Sequence, residues 1–108
     1  MSEIRVGLSI GELQEYVAEH WHERGFNKNT ALDECLLLAE EVGELAKAIR
    51  KKTGMGTDPN SHVGELAYEI ADIIWVTTAI ANLYGVNIEQ AFREKEAINH
   101  GRTWHVGL

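Results

Sequence analysis

The chain has a single proline, Pro59, and almost no run in which apolar and polar residues alternate. Helix start and stop signals recur instead at regular spacing, so the sequence reads as all-α, a four-helix, bundle-like domain covering residues 1–108. The first helix is expected from Ile10 to Arg24, opened by a capping box of Ser9 and Glu12 and closed at Gly25. The second runs from Ala31 to Lys52. Thr30 can cap it, and Arg50, Lys51 and Lys52 suit its negative end. Residues 53–60 hold Gly54, Gly56 and Pro59 and read as a loop. The third helix spans Ser61 to Tyr84 and stops at Gly85. The fourth starts at Asn87, paired with Gln90 in a second capping box, and ends near Gly101.

Two apolar stripes follow from this register. On the second helix they are Ala31, Cys35, Leu38, Val42, Leu45 and Ile49; on the third, Leu66, Ile70, Ile73, Thr77, Ile80 and Tyr84. Beyond Asp72 the third helix is apolar nearly all round. Four helices in so short a chain cannot surround one of their own number, so an oligomer is expected, with the third helix at the subunit interface. The stretch Ile70 to Val86 contains Asp72 and Asn82 and reads as too polar and too short to cross a membrane. The formal charge of -7 argues against a nucleic-acid surface, since phosphate backbones select clustered Lys and Arg. A small anionic ligand stays compatible, because a bound cation reverses the local sign. One cysteine, Cys35, leaves no internal disulfide and fits a reducing compartment. Met1 to Ile10 has no apolar run of secretory length, so a cytoplasmic protein is expected.

The chemistry concentrates in acids. The second helix carries Glu40, Glu41 and Glu44, and the third carries Glu65, Glu69 and Asp72. At 3.6 residues per turn, Glu41 and Glu44 lie about 60° apart on one face, as do Glu69 and Asp72. The strip Leu37, Glu41, Glu44, Ala48 has apolar residues at both ends. The strip Glu65, Glu69, Asp72, Val76, Leu83 is read in the same way on the third helix. These carboxylates therefore border the packed interior, and no basic residue shares either strip. Like charges at this spacing repel, and burial adds a desolvation cost on the order of several kcal/mol per ion. A divalent cation relieves both. Oxygen-only ligands favour a hard ion, and Mg²⁺ keeps positions open for water and phosphates. Gly43, among the acids, is a candidate for close approach.

Glu40-Glu41-Val42-Gly43-Glu44 followed by Glu69-Ile70-Ala71-Asp72 resembles the motif of MazG-like nucleotide pyrophosphohydrolases, in the all-α NTP pyrophosphatase superfamily. The resemblance runs from about Leu13 to Trp104. It includes the phrase Leu38 to Ala46 and the tail from Lys95 through Asn99 to Arg102, Thr103 and Trp104. It implies hydrolysis of a nucleoside triphosphate between the α and β phosphates, giving monophosphate and pyrophosphate, in nucleotide-pool housecleaning. It implies Glu41, Glu44, Glu69 and Asp72 as Mg²⁺ ligands, with Mn²⁺ as a substitute. Glu40 becomes an auxiliary base, water holder or second-metal ligand, with Glu40 or Glu41 taking the proton. The family's tight dimers, or dimers of dimers, agree with the over-apolar third helix. The loop at residues 53–60 has no fixed sequence in the family and says nothing about substrate.

Ile88, Phe92, Lys95, Asn99 and Arg102 follow one strip of the fourth helix. Its apolar part can anchor the helix while Lys95, Asn99 and Arg102 meet phosphates. Trp21, near the end of the first helix, is a candidate base contact, in line with aromatic residues the family uses there. Glu19 and His22 resemble half of a di-iron motif that needs a second copy, and none exists. His62, His100 and His105 lack zinc spacing. Cys35 reads as core. The rival class is a non-catalytic helical module that binds a metal or a partner; within the enzymes, phosphoribosyl-ATP and dUTP hydrolases are relatives of similar pattern.

Overall fold

The computed structural model describes residues 4–103, and among these it forms four α-helices with no strand. They are α1 (Ile10–Glu23), α2 (Ala31–Thr53), α3 (Leu66–Leu83) and α4 (Ile88–His100), with a short 3-10 turn at Phe26–Lys28 between α1 and α2. The all-α, four-helix expectation holds.

Local chemistry sets most of the boundaries. Ser9 and Glu12 form the full capping box of α1, with Glu12 also gripped by the Arg5 guanidinium. Thr30 caps α2, and its box is completed by Asp33: the Asp33 amide donates to Thr30 Oγ1 (3.2 Å) and the Thr30 amide donates to Asp33 Oδ2 (2.8 Å). Gly25 and Gly54 end their helices at φ 80°, a left-handed backbone that side chains with a Cβ resist. Asn87 caps α4 by accepting from the Gln90 amide at 2.9 Å. The box expected there is only half made, because the Gln90 side chain donates to Glu94 one turn on.

The third helix starts five residues later than its sequence pattern suggests. Ser61 does not cap it: the Asp58 side chain and carbonyl hold Asn60 and Ser61 in a turn. Gly64 follows, and α3 opens at Glu65 without a side-chain cap.

The main seam of the fold joins α2 to α3; α1 lies on α3, and α4 packs on α1. One side chain fastens the corner where α1, α3 and α4 meet. Gln14 donates to Asn82 Oδ1 (3.0 Å) and to the Val86 carbonyl (2.8 Å), and accepts from the Ile88 amide (2.9 Å).

Both expected core stripes are rotated. Cys35 is exposed, and Val42 and Ile49 are about half exposed (50% and 46%). Glu34 and Ala48 are the buried residues of α2. On α3, Ile70 and Tyr84 face out, while Glu69, Val76, Thr78 and Ala79 are buried. The reason is that α2 has two faces with apolar character, and α3 covers the one interrupted by acids. Eighteen residues of α3 are long and apolar enough to cross a membrane, contrary to the sequence reading, but by length and composition only. In this fold that helix packs against α1 and α2.

The buried apolar residues among those described are only Val17, Ala48, Val76 and Ala79. Leu32 and Leu36 on α2, Tyr68 and Ile74 on α3, and Phe92 on α4 lie open. The radius of gyration is 16.9 Å, against about 13 Å for a compact chain of this length. The accessible surface is 8377 Å², against roughly 6,000 Å² for a globular monomer of this mass.

Thr30→Ala is expected to destabilise the fold by about 1 kcal/mol, because the Asp33 amide loses its acceptor at the N-terminus of the longest helix. Chemical denaturation at fixed protein concentration checks it.

Candidate metal and nucleotide site

The α2–α3 seam brings Glu41, Glu69 and Asp72 together, with one carboxylate oxygen of each within 4.8 Å of the others. Glu69 is the most enclosed of the three, at 8% exposure. Its carboxylate lies against Gly64, where a Cβ would overlap Glu69 Oε1. Gly64 is thus the glycine whose lack of a side chain shapes the site. Gly43, the sequence candidate, is exposed with open space where its Cβ would stand.

Like charges about 5 Å apart repel by about 3 kcal/mol at an effective dielectric constant of 20. Glu41 takes the strain: burial first, then the Asp72 charge, a hydrogen bond with Glu69, and the charges of Glu69 and Glu44 hold its pKa above the usual carboxylate value. A group that binds its proton more tightly when folded loses stability for the fold as pH rises past the unfolded value of 4.5. A cation in the proton's place removes that loss. Three oxygen ligands from two rigid helices suit Mg²⁺ or Mn²⁺.

Glu44 lies outside this group of three. It is partly exposed, 3.7 Å from Lys47 Nζ, and acts on Glu41 through its charge. Glu40 is exposed and also stands outside it.

A cleft of about 270 Å³ extends from Glu41 and Asp72 to Phe26, Trp75, Arg24 and the buried Glu34. Phe26 meets Trp75 edge-on at 5.8 Å, and the Arg24 guanidinium sits 5.3 Å from the Trp75 ring centre. The cleft thus has an anionic end and an aromatic end.

The other sequence candidates do not line it. Trp21 faces a separate hollow with Ala18, His22 and Leu83, and its indole N–H donates to Glu34 at 3.0 Å. Lys95 and Arg102 are exposed on or just past α4, which packs on α1, and Asn99 donates to Glu96 at 3.3 Å. Trp104, part of the tail motif, lies outside the described residues.

Sequence reasoning misses Glu34, Trp75, Arg24 and Phe26. For Glu34 a signal exists: the strip of Leu37, Glu41 and Glu44, extended one turn back, lands on it. Trp75 likewise follows Asp72 by three residues.

Residues 29–106 match the family model of the MazG nucleotide pyrophosphohydrolase domain. A dATP/dGTP diphosphohydrolase of Cyanophage S-2L is 31% identical over 96 residues, covering 89% of this chain and 78% of that protein. Among solved structures, the Cyanophage S-2L MazG-like pyrophosphohydrolase, bound to dGDP and three catalytic Mn²⁺ ions per active site, superposes with a TM-score of 0.70. It is 26% identical and the match covers 95% of this chain and 89% of that one. The iMazG of Vibrio DAT 722 gives a TM-score of 0.65 at 30% identity, covering 86% and 99%. The chain belongs to the MazG nucleotide pyrophosphohydrolase family, and its helices, like those of its relatives, carry the family's hydrolase fold.

Gly64→Ala is expected to displace the Glu69 carboxylate and weaken Mn²⁺ binding by roughly tenfold or more, the scale seen when supports of a metal ligand are lost. The melting temperature should hold within a few degrees, since the displaced group is the end of a flexible side chain. Calorimetric titration with Mn²⁺ alongside thermal melts checks both.

Proposed function

We propose that this chain is a Mg²⁺-dependent nucleoside triphosphate pyrophosphohydrolase that cleaves between the α and β phosphates. The observation that carries the reading is the convergence of Glu41, Glu69 and Asp72 at one end of a cleft whose other end is aromatic. A triphosphate needs cationic charge at its phosphates and an apolar wall for its base, and the cleft has a place for each. The S-2L relative, with dGDP and Mn²⁺ in its active site, supports the same assignment.

Glu41, Glu69 and Asp72 would hold the metal, with Glu44 beside them as a fourth ligand. When bound there, the metal would supply Lewis-acid charge to the phosphate oxygens and would lower the pKa of the attacking water. The water oxygen forms the new bond to phosphorus, the α–β anhydride P–O bond breaks, and pyrophosphate leaves. Glu40 or Glu41 would take the water's proton. Glu40 would hold water or a further metal at the rim. Trp21 would support the base through Glu34 rather than touch it. Lys95, Asn99 and Arg102 would meet phosphates only from another copy of the chain, since none lines this cleft within one copy.

That second copy is part of the proposal: a homodimer, or a dimer of dimers, closed over the open faces of α2 and α3. The thin core, the open apolar side chains and the excess surface support it. With it go one domain over residues 1–108, a cytoplasmic setting and a housecleaning role.

A panel of nucleoside triphosphates with Mg²⁺ tests the activity, scored for monophosphate and pyrophosphate and repeated with chelator. Glu41→Gln and Asp72→Asn should each lower turnover by roughly two orders of magnitude or more with the fold intact. Full activity in either variant would reject the metal assignment, and binding without turnover in the wild type would favour a non-catalytic module. Orthophosphate released in place of pyrophosphate would place the cut elsewhere.

Ile74 is 47% exposed on α3. Ile74→Glu is expected to shift the protein to a smaller species in sedimentation velocity; a wild-type protein that runs as a 12.1 kDa monomer at micromolar concentration would end the dimer proposal.

A further inference from the structure

Glu34 is 1% exposed, the most completely buried acid among the described residues. Both of its hydrogen bonds fall on one oxygen: Oε1 accepts from Trp21 Nε1 (3.0 Å) and from Asn29 Nδ2 (3.1 Å). Oε2 has no partner among the described residues, yet the side chain lines the cleft that begins at Glu41 and Asp72. A second orphan lies in the same cleft. Trp75 lines it, and its indole N–H is shielded from solvent with no acceptor among the described residues. Buried polar groups are nearly always paired, and leaving one unpaired costs free energy that a ligand can recover. One cleft thus offers an unused anionic acceptor and an unused neutral donor, beside aromatic side chains.

We infer that Glu34 and Trp75 read the edge of the nucleobase and select guanine. This rests on the function proposed above, whose substrate it narrows. Oε2 has two lone pairs, and guanine is the base that presents two N–H groups side by side, at N1 and the 2-amino position. Next to them guanine carries O6, an acceptor for the Trp75 N–H. Adenine and cytosine offer a carboxylate only an amino group with a repelling ring nitrogen beside it. Thymine and uracil offer one N–H between two carbonyl oxygens. Trp21 and Asn29 are positioning residues: their bonds to Oε1 fix the rotamer that leaves Oε2 for the base.

Glu34→Gln makes the sharpest test, because it is isosteric. Its amide oxygen can still accept from Trp21 and Asn29, while an NH₂ donor replaces the acceptor at Oε2. The readout is kcat/KM with Mg²⁺ for dGTP, for dITP (no 2-amino group) and for dXTP (2-oxo in its place), with dATP, dCTP and dTTP alongside. The wild type should prefer dGTP to dITP by about tenfold or more. In Glu34→Gln the dGTP value should fall roughly ten- to a hundredfold and dXTP should overtake it. An equal loss for every base would overturn the inference and leave Glu34 as a structural tie. If Glu34→Gln does not fold, Trp75→Phe decides: it removes an N–H that has no partner among the described residues, so the melt should hold while the preference for dGTP over dATP, whose 6-amino group cannot accept that N–H, drops. An unchanged ranking in Trp75→Phe overturns the inference. Equilibrium binding of dGMP against dIMP, followed by tryptophan fluorescence, separates the two proposals. Selective binding of dGMP without hydrolysis of any triphosphate defeats the enzyme reading and supports this one; hydrolysis with no base preference defeats this one alone.

Discussion

Three carboxylates held against one another at the α2–α3 seam are the constraint around which the molecule is arranged. That seam is the chief contact of the fold, and an ordinary bundle would fill it with leucine and valine. Instead, Glu41 from the middle of α2 meets Glu69 and Asp72 from the first two turns of α3. Burial, and then the repulsion among them, hold the pKa of Glu41 above the usual carboxylate value. The fold offsets this weakness elsewhere, with two complete capping boxes on α1 and α2 and the Gln14 fastening of three helices. The same strain is what gives a hard cation a reason to bind, since neutralising the cluster and stabilising the seam are one event.

The thin core belongs to the same arrangement. With α2 and α3 turned so that their acidic strips meet, their more apolar strips are turned outward. Inward acids and outward aliphatic residues are thus two results of a single rotation of each helix. A chain built this way leaves apolar side chains open, and so the metal site and the proposed second copy have a common origin.

Much of this is legible in the sequence, for reasons that can be located. Ser9, Thr30, Asn87, Gly25 and Gly54 act through neighbours within a few residues, so their patterns fix helix ends without tertiary knowledge. The acidic pairs are legible because helical spacing alone puts Glu41 and Glu69 beside apolar residues. What fails is everything that depends on rotation about a helix axis. Periodicity finds a stripe but not which of two stripes a neighbour will cover, so it places Cys35 and Val42 inside and overlooks Glu34. The start of α3 fails because Asp58 holds Ser61 in a turn, a local competition that a helical pattern does not register. Trp21 is drawn to the site by its chemistry, yet its N–H is spent on Glu34.

The two ends of the cleft are built from different parts of the chain, and this separates reaction from recognition. The acids come from the middle of α2 and the first two turns of α3, where backbone positions are fixed by the ladder and by the seam. The far end is assembled across a turn: Arg24 closes α1, Gly25 takes φ 80°, and Phe26 opens the 3-10 segment. Gly25 is what lets Arg24 and Phe26 both approach Trp75, one with its guanidinium near the ring and one with its edge. Asn29, at the end of that segment, holds Glu34. A change in this short turn would therefore alter the wall proposed to meet the base while leaving the carboxylates in place. A change at the seam alters every substrate alike. A fold that keeps its acids on rigid helices, and packs the proposed base-reading Glu34 and Trp75 against side chains from one turn, would hold its chemistry constant while its choice of nucleotide varies.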